Sequence, residues 1–292
     1  MTRQRKGNGS VSELARAEII AIGNELLLGD VLDTNTNWLC KRITGLGGQV
    51  ARAALVRDEH VAIVAEIRSA LDRSPDLIIT TGGLGPTGDD ITMEAVAAAT
   101  GHPLELHAQA LTMVQARYRD LVEKGYLKDP TLTDARKKMA YLPRGAAALR
   151  NPVGTAPAPV LEIGGSTLVS LPGVPEEMKG IYEETLQPIL QRIFGDSYYE
   201  EQSIIALCGD ESSLAPVLAK VVEDHPEVYI KSRARRYGAE VRILITLSLA
   251  GEGREAVQGS LAAAFESLTR ALPAAGFEIE NQAANQGSGS SL

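Results

Sequence analysis

Asp89 and Asp90 close a glycine-rich run, Thr81-Gly82-Gly83-Leu84-Gly85-Pro86-Thr87-Gly88. Glycines let a backbone take positive φ and approach a ligand closely. Free amides at a following helix start favour an anion, with phosphate the natural candidate. The paired carboxylates oppose that anion. Two unit charges about 4 Å apart repel by about 4 kcal/mol at an effective dielectric of about 20. A hard cation such as Mg²⁺ removes the conflict, because carboxylate and phosphate oxygens are both its preferred ligands. The run therefore reads as a phosphate-plus-metal loop, with Asp89 and Asp90 as metal ligands and Gly82, Gly83 and Gly85 as the phosphate cradle. The plainer reading of either aspartate is a helix N-cap. Gly83 to Gly88 also matches G-x-G-x-x-G, with Glu105 near the offset of a ribose-binding acid. The run is not at a first strand, and Pro86 and the aspartates suit a bare pyrophosphate poorly, so a dinucleotide fold ranks below the metal–phosphate reading.

These residues need a strand before them and a helix after them. Leu77 to Ile79 is a short apolar run after Pro75, and Ile91 to Thr100 is alanine-rich and helical. Other strand ends carry polar groups too. Ala17 to Ile22 reads as a first strand, followed by Gly23, Asn24, Glu25, Asp30, Asp33 and Asn35. Asp33 or Thr34 caps a helix carrying Trp38, Leu39, Ile43 and Leu46. Gln49 to Val56 is a second strand, and Asp58 falls where it gives way to a helix. The carboxyl end of an open parallel sheet is its ligand edge. The repeated strand–helix order predicts a largely parallel, three-layer α/β/α sheet over residues 17–197.

Further along, Leu104 to Glu123 contains a helix, and Leu132 to Tyr141 reads as a helix carrying Arg136, Lys137 and Lys138. One of the three could meet substrate phosphate, with Lys137 the catalytic candidate; a solvated basic face is the alternative. Asn151 to Pro157 is a loop dense in Pro and Gly. Val160 to Leu171 reads as a hairpin turning at Gly164-Gly165. Leu171 to Met178 turns, past Gly173, into a helix that begins at Pro175 and runs to about Phe194.

Organisation changes near residue 198. The order strand, helix, strand, strand, helix, strand over residues 198–281 predicts a small α+β domain of split-βαβ type. Lys231, Arg233, Arg235, Arg236 and Arg242 surround its central hairpin. With few aromatics and no G-x-x-G loop, they read as a solvated hairpin in preference to an RNA surface. Residues 1–16 and 282–292 read as polar, mobile tails.

The chain has 292 residues, 44% of them apolar, and a net charge of −8, which does not favour nucleic acid or an anionic membrane. It holds no apolar run long enough to cross a membrane and no apolar signal core. Two cysteines, Cys40 and Cys208, suit reduced cytoplasmic thiols. No G-x-S-x-G elbow, H-E-x-x-H, C-x-x-C or Walker A lysine is present, and the four histidines are scattered. Hydrolysis by this chain would depend on metal-activated water.

Taken together, Gly23-Asn24-Glu25-Leu26-Leu27-Leu28-Gly29 with Asp33-Thr34-Asn35, the Thr81–Asp90 loop, Asn151 to Pro157 and Leu171 to Met178 resemble the CinA-type (competence/damage-inducible) family. The first part is similar to the molybdopterin-binding domain of the MogA and MoaB proteins, and the second resembles the KH-like domain of CinA proteins. The resemblance implies pyrophosphatase activity on ADP-ribose or a related dinucleotide such as FAD, with a divalent metal and K⁺. It implies Asp90 and Asp58 as functional aspartates. It places substrate at Gly23, Glu25, Asp33, Asn35, Gly82, Gly83, Gly85, Pro86, Thr87, Asn151, Gly154, Thr155 and Gly173. It also implies a homodimer. The alternatives are a pterin-binding protein or adenylyltransferase of molybdenum-cofactor assembly, and an RNA-binding or scaffold protein. Three positions depart from the pattern: Asn24 stands where Thr is common, Gly88 where many members have Lys, and Ala158 where Gly is usual. The amidohydrolase domain of long CinA proteins is not expected here.

Overall fold

The computed structural model describes residues 14–195, 197–208, 211–236 and 241–281. The expected tails therefore fall largely outside the described residues, although Arg16 already begins the first strand. The described residues form two compact units, 15–44 with 48–195, and 197–281 with 14 and 45–47.

The larger unit runs β1 (Arg16–Ile22), α1 (Asn24–Leu28), α2 (Thr34–Gly45), β2 (Gln49–Val56), α3 (His60–Arg73), β3 (Leu77–Thr81), α4 (Thr92–Thr100) and β4 (Leu104–Leu106). It continues with α5 (Ala108–Glu123), α6 (Asp134–Lys138), β5 (Tyr141–Pro143), β6 (Ala147–Leu149), β7 (Ala158–Ile163), β8 (Ser166–Leu171), α7 (Pro175–Glu184) and α8 (Gln187–Phe194). Six strands pair in the order β2-β1-β3-β8-β7-β6. The first four are parallel, and β7 and β6 are antiparallel. From β1 the chain steps outward to β2 and then returns to the far side of β1 as β3. The sheet's switch point thus lies between β1 and β3, where open α/β sheets hold ligands.

Parallel strands buried on both faces need apolar residues throughout. Every residue of Leu77–Thr81 is buried, as is every residue of Ser166–Leu171. Ile20, Ile22, Ile78 and Leu168 pack with Ile63 and Ile67 of α3, Val96 of α4 and Val114 of α5. The alternate residues Ile19, Ile79 and Val169 are equally buried and point the other way. Leu39 and Ile43 of α2, Met178 and Ile181 of α7, and Leu190 of α8 are buried in the opposing layer. An edge-on contact of Trp38 with Tyr182, centroids 4.9 Å apart, ties α2 to α7. The three-layer expectation holds. Gly164 and Gly165 both take positive φ, 60° and 92°, in the β7–β8 hairpin, as a tight two-residue turn requires.

Three local readings need correction. The basic segment is helical only over Asp134–Lys138, because Tyr141 to Pro143 leave it to pair antiparallel with Leu104 to Leu106. The long helix after Pro175 is two helices. Pro188 lies in the first turn of α8, where its missing N–H costs nothing but prevents continuation from α7. The helix after the glycine loop starts at Thr92, and neither aspartate caps it.

The smaller unit runs β9 (Ser197–Cys208), a 3₁₀ turn (Glu211–Leu214), α9 (Ala215–Asp224), β10 (Tyr229–Arg236), β11 (Val241–Glu252), α10 (Arg254–Ala274) and β12 (Glu278–Asn281). Its antiparallel sheet has the order β10-β11-β9-β12, which is the split-βαβ arrangement. Ile204, Ile243, Ile245 and Leu247 pack against Leu261 and Leu268 of α10. Of the basic stretch, Lys231 and Arg233 are exposed on β10, and Arg242 pairs with Glu280 at 3.2 Å.

Within the larger unit the Glu18 side chain is 2% exposed, and the Arg73 guanidinium grips it in fork geometry, Nε to Oε1 at 2.8 Å and Nη2 to Oε2 at 2.5 Å. Removing one partner leaves a buried charge uncompensated, at a cost of about 3 kcal/mol or more. Arg73→Met should lower unfolding stability in urea by about that amount, whereas a loss under about 1 kcal/mol would show that the pair is solvent-screened.

Candidate functional site

The chain leaves β3 by crossing the end of β1. Gly82 donates its N–H to Leu171 O at 2.9 Å and takes φ 105°. A Cβ on residue 82 would collide with the carbonyl oxygen of Ile22, the last residue of β1. Only glycine permits this approach. Thr92 then closes the loop from α4, its hydroxyl donating to Gly82 O at 2.8 Å and its N–H to Gly83 O at 3.2 Å.

The two aspartates turn inward on Thr87. Asp90 accepts from Thr87 N at 2.9 Å and from Thr87 Oγ1 at 2.6 Å, and Asp89 accepts from the same hydroxyl. A hydroxyl has one proton, so it can satisfy only one of the two carboxylates at a time. The Asp90 carboxylate lies over Gly85. The Thr87 bond is the main reason the Asp89 carboxyl sits below its ordinary range, with the Lys138 charge a smaller contribution. Lys138 Nζ donates to Thr87 O at 2.5 Å.

Asp58, after β2, belongs to the same edge. It accepts from Asn24 N at 2.8 Å, which ties the ends of β1 and β2 together. Burial pushes its carboxyl above the usual range; the Asn24 bond opposes this, and the charges of Glu25, Asp89 and Asp90 add to the rise. The structure thus brings Gly23, Glu25, Asp58, Gly82, Gly83, Gly85, Thr87, Asp89 and Asp90 to one sheet edge.

Two clefts open there, one to each side of residue 82. The larger, about 260 Å³, is lined by Gly83, Gly85, Asp90, Glu94, Lys138 and Tyr141 among others. The smaller, about 80 Å³, is lined by Glu25, Asp33, Asn35, Thr81 and Gly173 among others. Asn35 donates to Gly173 O at 2.7 Å, and its Oδ1 is buried with no partner. That oxygen is an acceptor available to a ligand donor.

Several sequence-derived candidates have structural duties of their own. Asp33 caps α2, accepting from Thr36 N at 2.9 Å, which resolves the choice between Asp33 and Thr34. Asn151 engages both ends of its amide within its own surroundings. Oδ1 accepts from Val153 N and Gly154 N, and Nδ2 donates to Ala156 O and to Glu177 at 2.7 Å. Gly154 lies beneath the Glu177 carboxylate, and Thr155 meets Met139 Sδ at 3.5 Å. These three shape the loop. Pro86 is an exposed part of the glycine loop. Lys137 pairs with Asp134 at 3.3 Å on the surface, and Arg136 stacks over Tyr118 at 4.0 Å while donating to Asp129 O and Thr131 O. Of the three basic residues, Lys138 is the one that reaches the loop. Glu94, Leu104, Tyr141 and Leu142, which sequence reading passed over, complete the larger cleft.

Among the described residues no three His, Cys, Asp or Glu side chains stand close enough to hold a metal by themselves. Mg²⁺ commonly takes one or two carboxylates and completes its shell with water and substrate phosphate. Asp89 and Asp90, sharing a single hydroxyl proton, fit that arrangement.

Comparison with known proteins places this edge in context. A family model described as a probable molybdopterin binding domain matches residues 18–192. A protein of Aeropyrum pernix is 41% identical over 280 residues, 93% of this chain and 99% of its own length. One of Pyrobaculum arsenaticum is 40% identical over 258 residues, 88% and 94% of the two chains. The solved CinA protein of Thermoplasma acidophilum, described as of unknown function, is 35% identical with a TM-score of 0.55, covering 61% of this chain and 98% of that one.

A carboxyl held above its ordinary range binds its proton more tightly in the folded state. Asp58 therefore favours folding fully only below its unfolded value of about 3.9, and this contribution is lost as pH rises through the folded value. Asp58→Asn keeps an oxygen for Asn24 N–H and removes the charge. The variant should melt at or above the wild-type temperature at neutral pH, with the difference shrinking as both are acidified. A wild type that melts higher at neutral pH, by an amount insensitive to pH, would contradict this.

Proposed function

The chain belongs to the molybdopterin-binding-domain family, in its CinA-type branch, and from that premise we propose that it binds a phosphate-bearing pterin or nucleotide and acts as an enzyme of molybdenum-cofactor-type assembly, transferring an adenylyl group to the pterin phosphate. The observation that carries this reading is the glycine loop at the switch point, within the matched residues. The backbone at Gly82, Gly83 and Gly85 packs against Ile22 O, Thr92 and Asp90, and Gly83 and Gly85 line the larger cleft, where phosphate oxygens would lie. The pterin phosphate oxygen would attack the α-phosphorus of ATP, and pyrophosphate would leave. Gly83 and Gly85 border the reacting phosphates, Asp90 orients Thr87, and Asn35 accepts a ligand N–H or O–H in the smaller cleft. Mg²⁺ held by Asp89 and Asp90 would supply charge neutralisation for the phosphates.

One observation favours a second reading, hydrolysis of a dinucleotide such as ADP-ribose or FAD. Asp58 has a raised proton affinity beside the loop, the property of a general base for water. Water would add to phosphorus as the bridging P–O bond breaks, yielding AMP. Incubation with molybdopterin, ATP, Mg²⁺ and K⁺, and separately with ADP-ribose and FAD, separates the two. Adenylated pterin supports the first, AMP from a dinucleotide the second, and neither product would exclude both.

Asp90→Asn retains an oxygen for Thr87 but loses a charge. It should lower turnover by roughly 100-fold with an unchanged fold by circular dichroism. Wild-type turnover would remove Asp90 from the site. Light scattering at micromolar concentration should give a dimer mass, since two-fold pairs are the commonest assemblies, and a monomer mass would reject that expectation.

A further inference from the structure

The phosphate loop carries two carboxylates and no cation of its own between Thr81 and Asp90. Thr87 is followed by Gly88, whose φ is outside the left-handed region and around which a Cβ would meet nothing within 4 Å. Glycine is not required at 88 by backbone shape or crowding, so what position 88 lacks is a side chain and its charge.

Lys138 reaches this spot from α6. Its ammonium donates to Thr87 O, the carbonyl joined to Gly88, at 2.5 Å. It lines the larger cleft with Gly83, Gly85 and Asp90, and it is the one lysine or arginine lining either cleft among the described residues. An ammonium has three N–H donors, and the Thr87 bond uses one. Neighbouring cations are engaged elsewhere: Lys137 by Asp134, Arg136 by Tyr118 and two carbonyls, and Arg117 by Asp120 and Val153 O.

We propose that Lys138 is the phosphate-positioning cation of this site, supplying from α6 the charge that position 88 leaves out, for a ligand bearing a di- or monophosphate. The assignment rests on the phosphate-site reading above. It differs from a loop brace, in which Lys138 would only hold Thr87 O.

Moving the charge separates the two. Lys138→Met removes both the charge and the Thr87 bond, and Gly88→Lys added to it restores charge without that bond. Calorimetric titration with inorganic pyrophosphate and Mg²⁺ should show affinity reduced about tenfold or more in Lys138→Met and largely recovered in the double variant. Melting temperatures should stay near wild type, and affinity for uncharged adenosine should not change. Unaltered pyrophosphate affinity in Lys138→Met, with wild type binding, would overturn the assignment of Lys138 alone. So would a loss that Gly88→Lys does not recover together with a lower melting temperature. A wild type that binds no pyrophosphate would overturn this assignment and the phosphate-site reading together.

Discussion

Residue 82 has no room for a side chain, and the rest of the site follows from that. The Ile22 carbonyl at the end of β1 lies where a Cβ would go, so β3 can turn across β1 only through glycine with positive φ. The crossing brings the β1, β2 and β3 exits together at the switch point. Asn24 N–H then meets Asp58, and Thr92 reaches back to Gly82 O. A residue with a Cβ at 82 would push the loop off the strand end and separate the groups that converge there.

Convergence has an electrostatic consequence. Glu25, Asp58, Asp89 and Asp90 share one edge; burial first, and then the charges of the other three, raise the proton affinity of Asp58. Asp89 and Asp90 compete for one hydroxyl proton. One ammonium, on Lys138, already approaches this edge. Under the proposed reading, the acidic groups would hold cations and the glycine backbone would lie against the anion.

Much of this was legible in the chain itself, and what was not has a common cause. Apolar Leu77 to Ile79 followed by glycines announced a buried strand and a close backbone approach, and Gly164-Gly165 announced its hairpin, because those signals are local. The duties of Asn151 and Lys137 were not legible, and the cap of α2 was open between Asp33 and Thr34. Each depends on which partner its side chain meets: Thr36 N for Asp33, the loop amides and Glu177 for Asn151, Asp134 for Lys137. Strands of three residues, such as Leu104–Leu106 and Tyr141–Pro143, are too short for periodicity to reveal, so the larger cleft's far wall was invisible. Pro188 could have been read as a helix start, and its position in the first turn of α8 shows the signal that was there.

The central claim is that phosphate binds at the glycine loop. It is tested most directly by mapping backbone amide chemical shifts while inorganic pyrophosphate and Mg²⁺ are added. The account predicts shifts concentrated at residues 23–25, 58 and 82–90. Shifts confined to the exposed basic residues of β10, around Lys231 and Arg233, with the glycine loop unmoved, would contradict it.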